Sequence, residues 1–156
     1  RIATLPSSTL VSRRLSTTRM ALCASPHYLA LHGTPRHPRE LAGHSVISYT
    51  YWSTRDEWHF DGPEGRVGVR TRPRLHTNSG DTCRAAALAH QGVILQPTFL
   101  VGEDLAAGTL LELMPQYRSI ELGVYAVYPT RKHLSPKVRA LIEFLAQRLG
   151  EDRVVR

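Results

Sequence analysis

Eight histidines and two cysteines are the side chains in this 156-residue sequence best suited to holding a metal or attacking an electrophile. Their spacing supports neither use. His27, His32 and His37 recur at intervals of five, which does not bring imidazoles onto one helical face, and no histidine stands in an HExxH or CxxC context. No metal site is expected. There is no GxSxG, Walker loop or GxGxxG. Cys83 lies near a predicted helix start, where a thiol pKa can fall, but no local motif names a base for it; packing beneath the helix as a small apolar residue is the plainer reading. Cys23 and Cys83 are sixty positions apart, which is no disulfide framework and suits a reducing cytoplasm.

The better candidate is a binding site. At Thr77-Asn78-Ser79 a strand gives way to a helix, so unpaired backbone N–H groups and the positive end of a helix dipole point to where an α/β sheet keeps its ligands. The next strand ends at Gln96-Pro97-Thr98, with Thr98 opening another helix, which sets a second group of polar atoms beside the first. A carboxylate or another small anion suits two such ends. Nothing there is a catalyst, so the chain reads as a binding domain and not as an enzyme. Against this stands a simpler possibility of equal weight, that Ser79 and Thr98 merely cap their helices for about 1 kcal/mol each.

These positions depend on short strands alternating with short helices, the pattern of an α/β sheet. Residues 1–3 read as the tail of a strand entering a polar turn over 4–9, and residues 20–24 (MALCA) as a buried strand. Ser25 caps a helix with Pro26 in its first turn and Gly33 closing it, and a short helix follows over 38–42. Residues 45–51 are β-branched and aromatic; 57–61 and 66–70 alternate around the turn Gly62-Pro63-Glu64-Gly65 and predict a hairpin with one wet face. Residues 75–95 predict a strand, a helix stopped by Gly92, and a strand, crossing over into a parallel pair. A helix over 99–107 ends at Gly108, strands follow over 109–114 and 120–128, the latter the longest, and Ser135-Pro136 opens a final helix. That helix carries Val138, Leu141, Ile142, Leu145 and Leu149 as a stripe for packing on a sheet, and Gly150 as its terminator.

Composition bounds the rest. With 42% hydrophobic and 21% charged residues the chain is ordinary globular material. No window approaches the roughly 18 apolar residues of a membrane span, and no signal peptide opens the sequence. The net charge of +7 is uneven: residues 1–40 hold six arginines against Glu40 alone, whereas the remainder holds 14 basic and 12 acidic groups. Scattered as they are, these arginines read as a solvated basic face before a nucleic-acid surface.

The residues Leu10-Val11-Ser12-Arg13-Arg14-Leu15, the run from Met20 through Ser25-Pro26-His27-Tyr28-Leu29, and His32-Gly33-Thr34-Pro35 through Pro38, Leu41 and His44 together resemble the effector-binding domain of LysR-type transcriptional regulators. The resemblance continues through Trp58 and Phe60, Asn78 to Asp81, Val93-Ile94-Leu95-Gln96-Pro97, Gly108-Thr109-Leu110, Val124-Tyr125-Ala126-Val127-Tyr128-Pro129 and His133-Leu134-Ser135-Pro136-Lys137-Val138-Arg139. It covers almost the whole chain in the family's order. The resemblance implies an α/β fold of the two-lobed type II periplasmic-binding-protein kind, with the first lobe incomplete. Residues 1–25 and 121–150 would belong to that lobe and residues 26–120 to the second, with crossings near residues 22–25 and 123–128. The winged helix-turn-helix and linker helix of the family would precede Arg1. A small-molecule effector would be contacted by Ser25, Asn78, Ser79, Gln96, Pro97 and Thr98, with no cofactor. Tyr49, Tyr51 and Trp52 would line the cleft or join the core, and Gln96, commonly apolar in the family, would make the cleft more polar or bond a neighbour. The flank of the helix over 79–91 would help form a homodimer, or a homotetramer, and DNA would be reached only through the missing domain of a cytoplasmic regulator. Binding between the lobes would favour one lobe arrangement and so alter operator binding. The competing expectation is a periplasmic-type solute-binding protein for a small organic anion.

Overall fold

The computed structural model describes residues 2–3, 11–51, 56–128 and 134–151. The turn expected over 4–9, Trp52, Pro129 and His133 lie outside the described residues. The chain divides into two compact units, residues 1–18 with 121–156, and residues 19–120.

In the first unit β1 (Ile2–Ala3) pairs antiparallel with β9 (Glu121–Tyr128), Ile2 opposite Val124, and β9 neighbours β2 (Val11–Ala24) in the same sheet. At 14 residues β2 is longer than β9, the strand expected to be longest. Its added half, VSRRLSTT, is mostly polar, with Ser12, Arg13 and Arg14 exposed and only Thr18 buried, so no apolar period announces it. Helix α4 (Pro136–Glu151) starts where expected, with Ser135 Oγ accepting from the Val138 N–H at 3.3 Å, but it runs through Gly150. Its stripe is only partly covered: Ile142 is 7% exposed, Val138 40% and Leu141 55%.

The second unit holds the main core, built on Ala21, Cys23, Ile47, Cys83, Ala87, Ile94, Val101 and Leu110. Helix α1 (Pro26–His32) follows Ser25 and closes at Gly33, where φ is +83°; a 3-10 turn (Pro38–Gly43) follows. The next strands are β3 (Val46–Tyr49), the hairpin β4 (Glu57–Gly62) with β5 (Gly65–Arg70), and β6 (Pro73–Thr77). In the hairpin Trp58, Phe60, Val67 and Val69 are buried, and Glu57 faces Arg70 while Asp61 faces Arg66. Helix α2 (Gly80–Leu88), β7 (Ile94–Pro97), α3 (Thr98–Ala107) and β8 (Leu111–Glu112) complete the unit. Of the strand expected over 109–114 only Leu111 and Glu112 are strand: the Thr109 and Leu110 N–H groups both donate to the Asp104 carbonyl at the end of α3, and Met114 turns away at φ +48°.

The parallel pair expected of β6 and β7 does not form. β6 pairs in parallel with β3, and Val93, just before β7, bridges Val46 of β3 in parallel; β7 itself pairs antiparallel with β2. The fully buried Val46-Ile47-Ser48 of β3 takes the place between them. Helix α2 ends four residues before Gly92, the expected stop. His90 takes the left-handed turn at φ +65°, while Gly92 is needed for close approach, since a Cβ there would stand 2.4 Å from the Ser45 carbonyl oxygen.

Candidate functional site

The polar ends of β6 and β7 meet at the start of two helices. Ser79, in extended conformation, accepts through Oγ from the Thr82 N–H at 3.2 Å, and its own N–H donates to Thr77 Oγ1 at 3.1 Å. Asn78 is exposed and Ser79 half-buried. Thr98 does not cap α3 as expected; Pro97 occupies the cap position without a side-chain bond, and Thr98 is the first helical residue. The two groups are in contact through Gly80. A Cβ on Gly80 would stand 2.8 Å from Leu100 Cδ2 and 3.1 Å from Gln96 Oε1, which places the start of α2 directly against the side chains of β7 and α3.

Gln96 is the distinctive residue of the cluster. It sits opposite Ala21 in the β2–β7 register, is 3% exposed, and its Nε2 has no hydrogen-bond partner among the described residues. A buried amide donor left unpaired costs about 1–3 kcal/mol, which is why such groups are few. Ser48 Oγ and Trp58 Nε1 share that condition, but neither stands at a helix start. The helix start is not purely electropositive: the exposed Asp81 lies in the first turn of α2, so what this end presents is directed N–H donors more than net positive charge.

Ser25 does not join this group. It is fully buried, its Oγ accepts from the Tyr28 N–H at 3.2 Å, and the same Oγ lies 2.8 Å from His90 Nδ1. His90 lies two residues beyond the C-terminal end of α2, whose nine residues span about 13 Å at 1.5 Å per residue, whereas Ser79 caps its start. Ser25 is therefore committed to the opposite end of the helix from the expected contacts. Tyr49 packs half-buried on the core, edge-on to Tyr51 at 5.6 Å, and Tyr51 is exposed.

Sequence reasoning missed what holds α2 against α3. Arg84 donates twice to Asp104, Nε to Oδ2 at 2.5 Å and Nη2 to Oδ1 at 2.9 Å, and the Thr109 hydroxyl reaches Oδ1 at 3.3 Å. The Arg84 hydrogen bond, joined by its charge, holds the Asp104 carboxyl below its usual range despite burial. No local spacing links residues twenty apart, and Asp104 stands beside a second acid, Glu103, on α3, so the sequence does not mark which of the two is buried and paired.

The thiols are inert. Burial pushes Cys23 up to about 12, with Glu112 and Asp104 adding to it, and pushes Cys83 up to about 11. Cys83 is fully buried and is not an activated nucleophile. No group of three or more metal-ligating side chains occurs among the described residues, and no described helix is long and apolar enough to cross a membrane.

Residues 1–150 match the family described as LysR substrate binding domain. The chain is 32% identical over 153 residues to the HTH-type transcriptional regulator CrgA of Neisseria meningitidis serogroup B, covering 97% of this chain and 51% of that protein. Its structure resembles the CrgA regulatory domain of Neisseria meningitidis at a TM-score of 0.82 and 32% identity, over 95% of this chain and 72% of that one. The full-length Vibrio cholerae virulence activator AphB is matched at a TM-score of 0.81 and 27% identity over 97% of this chain and 50% of that one. The chain spans about half the length of the curated relatives it matches. These relatives are transcriptional regulators, and the structural neighbours carry the two-lobed periplasmic-binding-like fold.

Proposed function

Because this chain belongs to the family of LysR substrate binding domains, we propose that it is the effector-sensing part of a cytoplasmic, oligomeric DNA-binding regulator, and that Asn78, Ser79, Gln96, Pro97 and Thr98 receive a small metabolite carrying a carboxylate. The observation that carries this reading is the buried, unpaired Nε2 of Gln96 beside the start of α2. A carboxylate oxygen there would accept from the Gln96 amide and from first-turn N–H groups. The ligand makes and breaks no bond; it shifts the regulator between states only by its differential affinity for them. Relatives that are regulators, and not transport proteins, leave the solute-binding alternative without support.

Thermal unfolding of the chain against a panel of aliphatic and aromatic carboxylates tests it. At least one is expected to raise the midpoint, and Gln96→Leu, or Ser79→Ala with Thr98→Val, is expected to abolish that rise while the fold persists. An unchanged rise in these variants would move the ligand elsewhere. No rise with any carboxylate would remove the carboxylate from the proposal.

A further inference from the structure

Four histidines gather about helix α1 in the second unit. His27 and His32 stand on the helix; His44 meets it from the segment entering β3, and His90 from the turn after α2. They form two pairs, each built on a hydroxyl. His90 Nδ1 lies 2.8 Å from Ser25 Oγ, with the His27 and His90 ring centres 4.6 Å apart. His44 Nδ1 lies 3.1 Å from the Tyr28 hydroxyl, and His32 stacks on the Tyr28 ring at 4.5 Å. Among the described residues His37, His59 and His76 each pair with a carboxylate, but none of these four does.

The hydroxyls fix what the two facing imidazoles do. Each already accepts from a backbone N–H, Ser25 Oγ from Tyr28 at 3.2 Å and the Tyr28 hydroxyl from Ser45 at 3.0 Å, and neither residue is more than 2% exposed. A buried hydroxyl has one proton to place, and in both cases a histidine Nδ1 is the acceptor it meets. His44 and His90 are therefore assigned as neutral imidazoles with the proton on Nε2. A second proton would turn each Nδ1 into a donor and leave a buried O–H without its acceptor. The second imidazole of each pair, charged at the same acidity, opposes that proton further. At His44 the opposition is marked: burial and the charge of His32 hold its pKa below 6.5, against the pull of Glu40 in the 3-10 turn. Glu40 is itself engaged, since Oε2 accepts from the Arg36 N–H at 3.1 Å.

We propose that the two hydroxyl–imidazole pairs are an acid-released latch on α1, closed while His44 and His90 are neutral and opened when they are charged. Imidazole is the side chain that changes charge between about pH 5 and 8, so the latch works in the range a cell experiences. Its position gives it reach. The Ser45 carbonyl accepts from the Val93 N–H at 2.9 Å at the entry of β3, and His90, at φ +65°, lies in the turn that joins α2 to β7. Opening frees α1 from the entries of both strands while the strands keep their own bonds. The latch shares no residue with the carboxylate site at Gln96 and does not depend on it.

The test is NMR of the isotope-labelled 156-residue chain. Ring ¹⁵N shifts at pH 7.5 are expected to show Nε2–H imidazoles at His44 and His90, a reading that needs no variant. From pH 7.5 to 5 the protection of the Tyr28 and Ser45 amides against hydrogen exchange, corrected for the chemical rate, is expected to fall about tenfold or more. The Thr109 amide, bonded to the Asp104 carbonyl at 3.0 Å, is expected to change less than about twofold. His44→Asn with His90→Asn keeps an acceptor near each Nδ1, removes the titration and suits the left-handed backbone at residue 90; it is expected to abolish the fall. His32→Gln takes away the charge that opposes protonation of His44, and is expected to move the loss at Ser45 to higher pH. An Nδ1–H imidazole at either position at pH 7.5, an equal fall at Thr109, or a fall that persists in the double variant would each overturn the proposal.

Discussion

Ser25 and Ser79 look alike in the sequence: each follows a strand, each precedes a helix, and each accepts a bond from a backbone N–H three residues on, at 3.2 Å. Their surroundings separate them. Around Ser25 the polar groups satisfy one another. His90 Nδ1 meets Ser25 Oγ, the Tyr28 hydroxyl accepts from the Ser45 N–H at 3.0 Å and lies 3.1 Å from His44 Nδ1, and the His27 and His90 rings lie 4.6 Å apart. Around Ser79 the neighbouring Gln96 keeps a donor unused. A capping serine at a strand end therefore says little about binding until the polar atoms beside it have been accounted for.

The contrast can be broken by substitution. Ser25→Ala removes a buried cap and the partner of His90 together, and should cost about 3 kcal/mol, read from the urea midpoint. Ser79→Ala loses a half-exposed cap alone and should cost about 1 kcal/mol; equal costs would erase the distinction. Gln96→Leu should leave stability unchanged or raise it by about 1–3 kcal/mol, because the buried Nε2 it deletes has no partner among the described residues. A clear loss would reveal a native partner for Nε2.

Acidification sharpens the same comparison. Burial, reinforced by the charge of His32 and opposed by Glu40, lowers the His44 pKa from its ordinary 6.5. The native state then binds fewer protons there than the unfolded chain, so this contribution is present above pH 6.5 and is lost as pH falls through the folded value. Asp104, held below its unfolded value of 3.8, contributes stability above that pH and loses it as pH falls further. Urea midpoints across pH 8 to 2 should show both declines, with His44→Gln removing part of the upper one and Asp104→Asn part of the lower. These are the smallest of the expected effects.

Caps, turns and alternation were legible in the sequence because they act over three or four residues. Ser25, Ser79 and Ser135 cap as read, Gly33 and Gly108 close their helices, and β4–β5 forms the hairpin with Trp58, Phe60, Val67 and Val69 inward. The ordered motifs also carried the family. What failed was non-local. The place of β3 between β6 and β7, the length of β2, the removal of Ser25 to the far end of α2 and the Arg84–Asp104 tie all depend on residues twenty or more positions apart. The sequence by itself determined where most of the strands and helices lie and that Ser25, Ser79 and Ser135 cap theirs, since those choices follow from local backbone chemistry. Only the tertiary structure decided which of those polar groups are already satisfied, because a hydrogen bond between distant strands leaves no period or spacing in the chain.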